Sequence, residues 1–170
     1  ENPTLFVKTV VDKCLEILRS EKDAGIQAEK ILRLMKASFD FSAITESLLK
    51  GLKVNDRDKS ALADIFPALL QMRYGIFVKS PESLTVEYGR YEFFYTGLEA
   101  VVYTHTKVPG HDLALNYKLR HIGGDWKIYD ITVDEVSLVG NYRAQIQKIL
   151  SQRSFSDFLA HVEGMVSIKT

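Results

Sequence analysis

Two different spacings of apolar residues divide the chain into a helical first half and a strand-rich second half. From Thr4 to about Ser20, Val7, Val11, Cys14, Leu15 and Leu18 recur along one helix face, with Lys8, Asp12, Glu16 and Arg19 off it. Gly25 breaks the pattern, and Ile31, Leu32, Leu34 and Met35 form the apolar side of a second helix. Phe39-Asp40-Phe41-Ser42 offers a new start, with Ser42 as the cap, Ile44, Leu48 and Leu49 as the face, and Gly51 as the stop. Asn55-Asp56-Arg57-Asp58 opens the longest helix, its acidic groups suited to the positive end of the helix dipole. The stripe that follows is Leu62, Ile65, Phe66, Leu69, Leu70, Arg73 and Phe77, with Pro67 expected to kink it. From Ile65 to Val78 this helix is apolar nearly all round, more than one core-facing side requires.

Beyond Pro81 the period becomes two. Leu84 to Tyr88, Tyr91 to Tyr95, Leu98 to Lys107, Leu113 to Arg120 and Trp126 to Val133 alternate like strand, the first two as parts of one strand. Pro109-Gly110 and Gly123-Gly124 supply turns between them. Two helices close the chain. Ser137 caps the first, whose face is Val139, Tyr142, Ile146, Ile149 and Leu150. Ser154, with Asp157 three residues on, caps the second, whose stripe of Phe155, Phe158, Leu159 and Val162 is expected to end at Gly164. These elements predict a single α+β domain over residues 1–170: a four-stranded antiparallel meander sheet packed against about six helices.

Composition narrows the function. With 170 residues, 46% apolar and 26% charged, the chain can bury a core without staples. Its 22 basic and 22 acidic side chains balance, so no bulk attraction to nucleic acid is expected. No apolar run approaches the roughly 20 residues of a membrane span. The lone Cys14 forms no internal disulfide and reads as a buried thiol on a helix. The chain opens Glu1-Asn2-Pro3 without Met, as a processed protein would, and a removed signal peptide would leave no trace.

Catalytic and metal motifs are scarce. His105, His111, His121 and His161 are not paired at ligand spacing, so no metal site and no catalytic residue is assigned. Lys118, Arg120 and Lys127 read as a solvated sheet face. One enzyme alternative remains, a cone of helices on a curved sheet with Tyr129 and Asp130 transferring protons beside Tyr88, Tyr91 or Tyr117. A regular pleat would point Tyr129 and Asp130 to opposite faces, which counts against it. A module whose apolar faces dock other helices is the third reading.

The last third carries a resemblance. Trp126-Lys-Ile-Tyr-Asp-Ile-Thr-Val-Asp-Glu-Val-Ser-Leu-Val-Gly-Asn-Tyr-Arg143 closely resembles the MlaC-like, or toluene-tolerance, family of periplasmic phospholipid-binding proteins. Phe39-Asp40-Phe41 and the helix reaching Tyr74 resemble earlier blocks of that family, so the likeness spans nearly the whole chain. Leu52 to Ser60 departs from it, lacking the Trp the family often carries there. The resemblance implies a periplasmic carrier, an auxiliary of an ABC transporter, that helps maintain outer-membrane lipid asymmetry. Its partners would be phospholipid, an outer-membrane lipoprotein complex and an inner-membrane ABC transporter complex. It implies a monomer with no cofactor beyond the lipid cargo, and relatives are associated with hopanoids.

The physics suits that work. Two acyl chains with roughly 30 methylenes between them would cost about 24 kcal/mol in water, at about 0.8 kcal/mol each. A carrier therefore needs an apolar cavity. Phe39, Phe41, Ile44, Leu48, Phe66, Leu70 and Phe77 are candidates for one wall. Tyr117, Leu119, Tyr129 and Ile131 could line the sheet side, and Val139, Tyr142, Ile146, Phe155, Phe158 and Leu159 the bottom. Arg73 and Arg143 are candidates for the head group. Each of these residues would serve equally well in an ordinary core or surface.

Overall fold

The computed structural model describes residues 2–75 and 81–168, and of residues 73–75 and 167–168 the backbone alone. Four helices come first: α1 (Pro3–Ser20), α2 (Ala24–Ser38), α3 (Phe41–Leu48) and α4 (Asp56–Gly75). Strands β1 (Thr85–Phe94), β2 (Glu99–Val108), β3 (His111–Ile122), β4 (Asp125–Val133) and β5 (Val136–Ser137) follow, then α5 (Leu138–Leu150) and α6 (Phe155–Ile168).

Local chemistry explains most of the boundaries. The Asn2 side chain accepts from Thr4 N at 2.8 Å, with Pro3 in the first turn of α1, where a missing donor costs nothing. Asp23 caps α2, and Asn55 caps α4 through Asp58 N. At α3 the cap is Asp40, which accepts from Ala43 N at 3.0 Å, rather than Ser42. The carboxylate also sits better with the helix dipole than a hydroxyl would. Helix α4 continues through Pro67, and α6 continues past Gly164, which lies where no Cβ is required or excluded.

The sheet is a consecutive antiparallel meander in the order β1-β2-β3-β4-β5. It has five strands rather than four, because the chain turns back at Asp134-Glu135 and pairs Val136 with Val133 and Ser137 with Thr132. Gly123 and Gly124 both take positive φ in the β3–β4 turn, which L side chains resist. Two bulges interrupt the ladders. Gly89 and Arg90 together oppose Tyr103, between the Tyr88–Thr104 and Tyr91–Val102 pairs. Tyr129 is the extra residue between the Lys118–Asp130 and Leu119–Ile128 pairs.

Two separate cores result. One is wholly helical and joins α3, α4, α5 and α6 through Ile44, Leu48, Leu62, Phe66, Tyr142 and Ile146, among others. The second places Val7 of α1 on Ala100, Val102, Leu119, Trp126 and Ile128 of the sheet. Helix α2 buries only Ile31 and Ser38. It is tied to the sheet where Asp40 N donates to Ile128 O at 2.8 Å.

Candidate functional site

Between the two cores lies an apolar pocket of about 320 Å³. Helix α1 gives it Val10, Val11, Cys14, Leu15 and Leu18, and α2 gives Ile31, Leu34 and Met35. The sheet contributes Leu115, Tyr117, Ile128, Ile131 and Val133, and Phe39, Leu70, Gln71 and Leu138 complete the wall. Four of these α1 residues, Val11, Cys14, Leu15 and Leu18, belong to the stripe that the sequence pattern marks as apolar, while its first member, Val7, packs in the sheet core. Toward the pocket that stripe meets space as well as protein. The volume falls at the small end of the roughly 300–1,000 Å³ typical of small-molecule sites.

Four expected lining residues meet here: Phe39, Leu70, Tyr117 and Ile131. Most of the others pack elsewhere. Phe41, Ile44, Leu48, Phe66, Val139, Tyr142, Ile146 and Phe158 are buried in the helical core, and Phe155 packs against it. Leu159 is half-buried on α6, and Leu119 is fully buried in the sheet core. Phe77 and the Arg73 side chain lie outside the described residues. A run of rings joins pocket to core: Phe39 stacks on Phe41 at 5.5 Å, Phe41 meets Phe66 edge-on, and Phe66 meets Tyr142 at 5.2 Å.

The lining that the sequence pattern does not single out comes from α1 and α2, together with Leu115, Ile128, Val133, Leu138 and Gln71. Their apolar spacing was legible. What it could not distinguish was a face packed on protein from a face turned toward a gap.

Arg143 and Tyr129 belong to a second, more polar pocket of about 280 Å³, with Ala43, Ser47, Arg120, Asp130, Ser137, Val139 and Gly140. Tyr129 and Asp130 therefore share one pocket, contrary to the expectation from a regular pleat. The bulge at Tyr129 supplies the reason, since an extra residue cancels one alternation. Asp130 is nevertheless fully engaged. Its Oδ1 accepts from Ile131 N at 2.8 Å and Val139 N at 3.1 Å, and its Oδ2 from Ser137 Oγ at 2.5 Å. Burial, and then a hydrogen bond with Glu99, push the Tyr129 phenol up to about 12. The Arg120 guanidinium lies 4.8 Å over the Tyr129 ring.

Burial also pushes the Cys14 thiol up, which keeps it neutral in the first pocket. Among the described residues no group of three His, Cys, Asp or Glu side chains could hold a metal ion, and no helix is long and apolar enough to cross a membrane.

Fold and site define a class: an α+β domain with an apolar pocket between its helices and an antiparallel meander. Residues 8–163 match the MlaC protein family, and the chain belongs to that family. Its fold is also similar to a solved phospholipid-binding protein from Ralstonia solanacearum, determined in complex with a phospholipid. The two are 21% identical, with a TM-score of 0.84 and 98% of each chain covered. No curated protein matches the chain.

Proposed function

We propose that this protein is a phospholipid carrier that takes acyl chains into the pocket between its two cores. The observation that carries this reading is the pocket wall itself, which is almost entirely hydrocarbon and, among the described residues, contains no Lys, Arg, His, Asp or Glu. Such a wall matches a bilayer interior and offers no acid–base pair for catalysis. Membership of the MlaC family and the phospholipid bound to the Ralstonia protein of similar fold support the same cargo.

The carrier would work in the periplasm, exchanging lipid with an outer-membrane lipoprotein complex and an inner-membrane ABC transporter complex, as a monomer without a cofactor. Exchange in both directions requires a wall that yields. Helix α2, with only Ile31 and Ser38 buried, can shift while disturbing neither core greatly. Such a shift would enlarge the pocket for a second chain. The enzyme alternative gains proximity from the bulge at Tyr129 but loses its base. Asp130 is committed to three donors, one of them in the first turn of α5.

The test is organic extraction of protein purified without detergent, followed by mass spectrometry. Phospholipid near one molecule per chain is expected, and a lipid-free extract would sink the reading.

A further inference from the structure

Among the described residues, two polar side chains, Tyr117 from β3 and Gln71 from α4, interrupt the hydrocarbon wall of the first pocket. Neither side chain makes a hydrogen bond among the described residues. Tyr117 is half-buried, and burial raises its phenol well above the ordinary tyrosine range, with Tyr88 and Cys14 adding to the effect.

When a lipid fills the pocket, a phenol or amide on its wall loses the water it could otherwise bond and needs a partner in the cargo. A wall meant for hydrocarbon alone would hold Phe and Leu at these positions at no loss of apolar area. Among the described residues no cationic side chain lines the pocket to balance a phosphate or an ionised carboxylate, so an uncharged partner suits these two groups. To pair with the phenol O–H and the amide N–H₂, both donors, it must accept hydrogen bonds. An ester carbonyl meets both conditions, whereas an ether-linked chain of the same length lacks the carbonyl and offers only a weaker ether oxygen.

We infer that Tyr117 and Gln71 donate hydrogen bonds to the ester carbonyls of a bound acyl lipid, so that the pocket selects ester-linked over ether-linked chains. This rests on the carrier reading and adds a chemical class to it. Hydrocarbon burial supplies the affinity, and the two donors fix how deep the ester sits.

The experiment uses delipidated full-length protein and two phosphatidylglycerols, one with two oleoyl esters and one with two oleyl ethers. Each is titrated against a bound fluorescent phospholipid, and its displacement is read. Wild-type protein should bind the diester about fivefold more tightly, the worth of one or two net hydrogen bonds. Tyr117→Phe should bring the ratio close to one. Gln71→Leu, at a half-buried helix position, should narrow it even if the Tyr117 variant folds poorly. Equal wild-type affinities would overturn the inference while leaving the carrier reading intact, as would a full preference kept by both variants. Wild-type protein that binds neither lipid would sink the carrier reading, and this inference with it.

Discussion

Ser137 Oγ donates a 2.5 Å hydrogen bond to Asp130 Oδ2, fastening the end of the sheet to the start of α5. The same carboxylate accepts from Val139 N in the first turn of that helix, while Ser137 Oγ accepts from Gly140 N. Strand, bulge and helix cap are thus one unit. Asp130→Ala should cost about 2–3 kcal/mol in urea unfolding, as loss of a buried charged acceptor does, and Ser137→Ala about 1 kcal/mol. The double variant should lose less than the sum, because the two share one bond. Strict additivity would show that the residues act independently.

Pocket and core residues should separate in their effects. Leu48 is fully buried in the helical core and away from the pocket, so Leu48→Ala should cost about 2–5 kcal/mol without changing lipid content per folded molecule. Leu70 reaches both core and pocket, so Leu70→Gln should lower phospholipid recovered by extraction. A folded Leu70→Gln variant with full lipid content would remove Leu70 from the binding wall.

Cys14 reports on pocket occupancy. Its thiol is held neutral by burial and lines the pocket, so a maleimide should react slowly at neutral pH. Delipidation should speed the reaction several-fold, and re-addition of phospholipid should slow it again. Labelling rates indifferent to lipid would place the cargo elsewhere.

Stability should fall at alkaline pH. Burial raises Tyr88 and Tyr129 to about 12 and Tyr117 further still, so the folded state holds these protons more tightly than the unfolded chain. Their contribution is complete below about pH 10, where unfolded tyrosine begins to ionise, and is lost as pH rises through the folded values. Urea midpoints measured from about pH 9 to about pH 12 should fall, less steeply in Tyr117→Phe. The same slope in both proteins would remove Tyr117 from the effect.

One turn is chemically mismatched. Asp134 and Glu135 both adopt positive φ, 47° and 71°, in the two-residue link from β4 to β5. Asp tolerates that conformation and here also accepts from Ala114 N, whereas Glu does not favour it. Glu135→Gly creates the Asp-Gly pair such turns prefer and should raise stability by about 0.5–1 kcal/mol in thermal or urea unfolding. A loss would mean that the Glu135 side chain contributes contacts outweighing the strain.

Much of the fold was legible along the chain. The stripe from Val7 to Leu18, the capping residues Ser137 and Ser154, the turn at Gly123-Gly124 and the alternation from Trp126 onward each rest on neighbours a few residues apart. Such local preferences are printed in the order of residues, and so is the family motif ending at Arg143. The cap falls on Asp40 rather than Ser42, a distinction the sequence does not make because both residues are good caps and stand two positions apart. The fifth strand leaves no mark on the pattern because two residues make no period.

The site was different. Phe66 and Val11 are equally apolar, yet one is locked between Phe41 and Tyr142 and the other faces open space. Periodicity reports that a face avoids water, not what it meets instead. Whether that face touches protein or a gap depends on how α1, α2 and the sheet approach one another over long sequence distances. The bulge at Tyr129 is decided the same way, by the register of β4 on β3. The sequence alone determined the elements and the family, because those depend on short-range order. Only the tertiary structure determined the pocket, because a space between elements belongs to no single one of them.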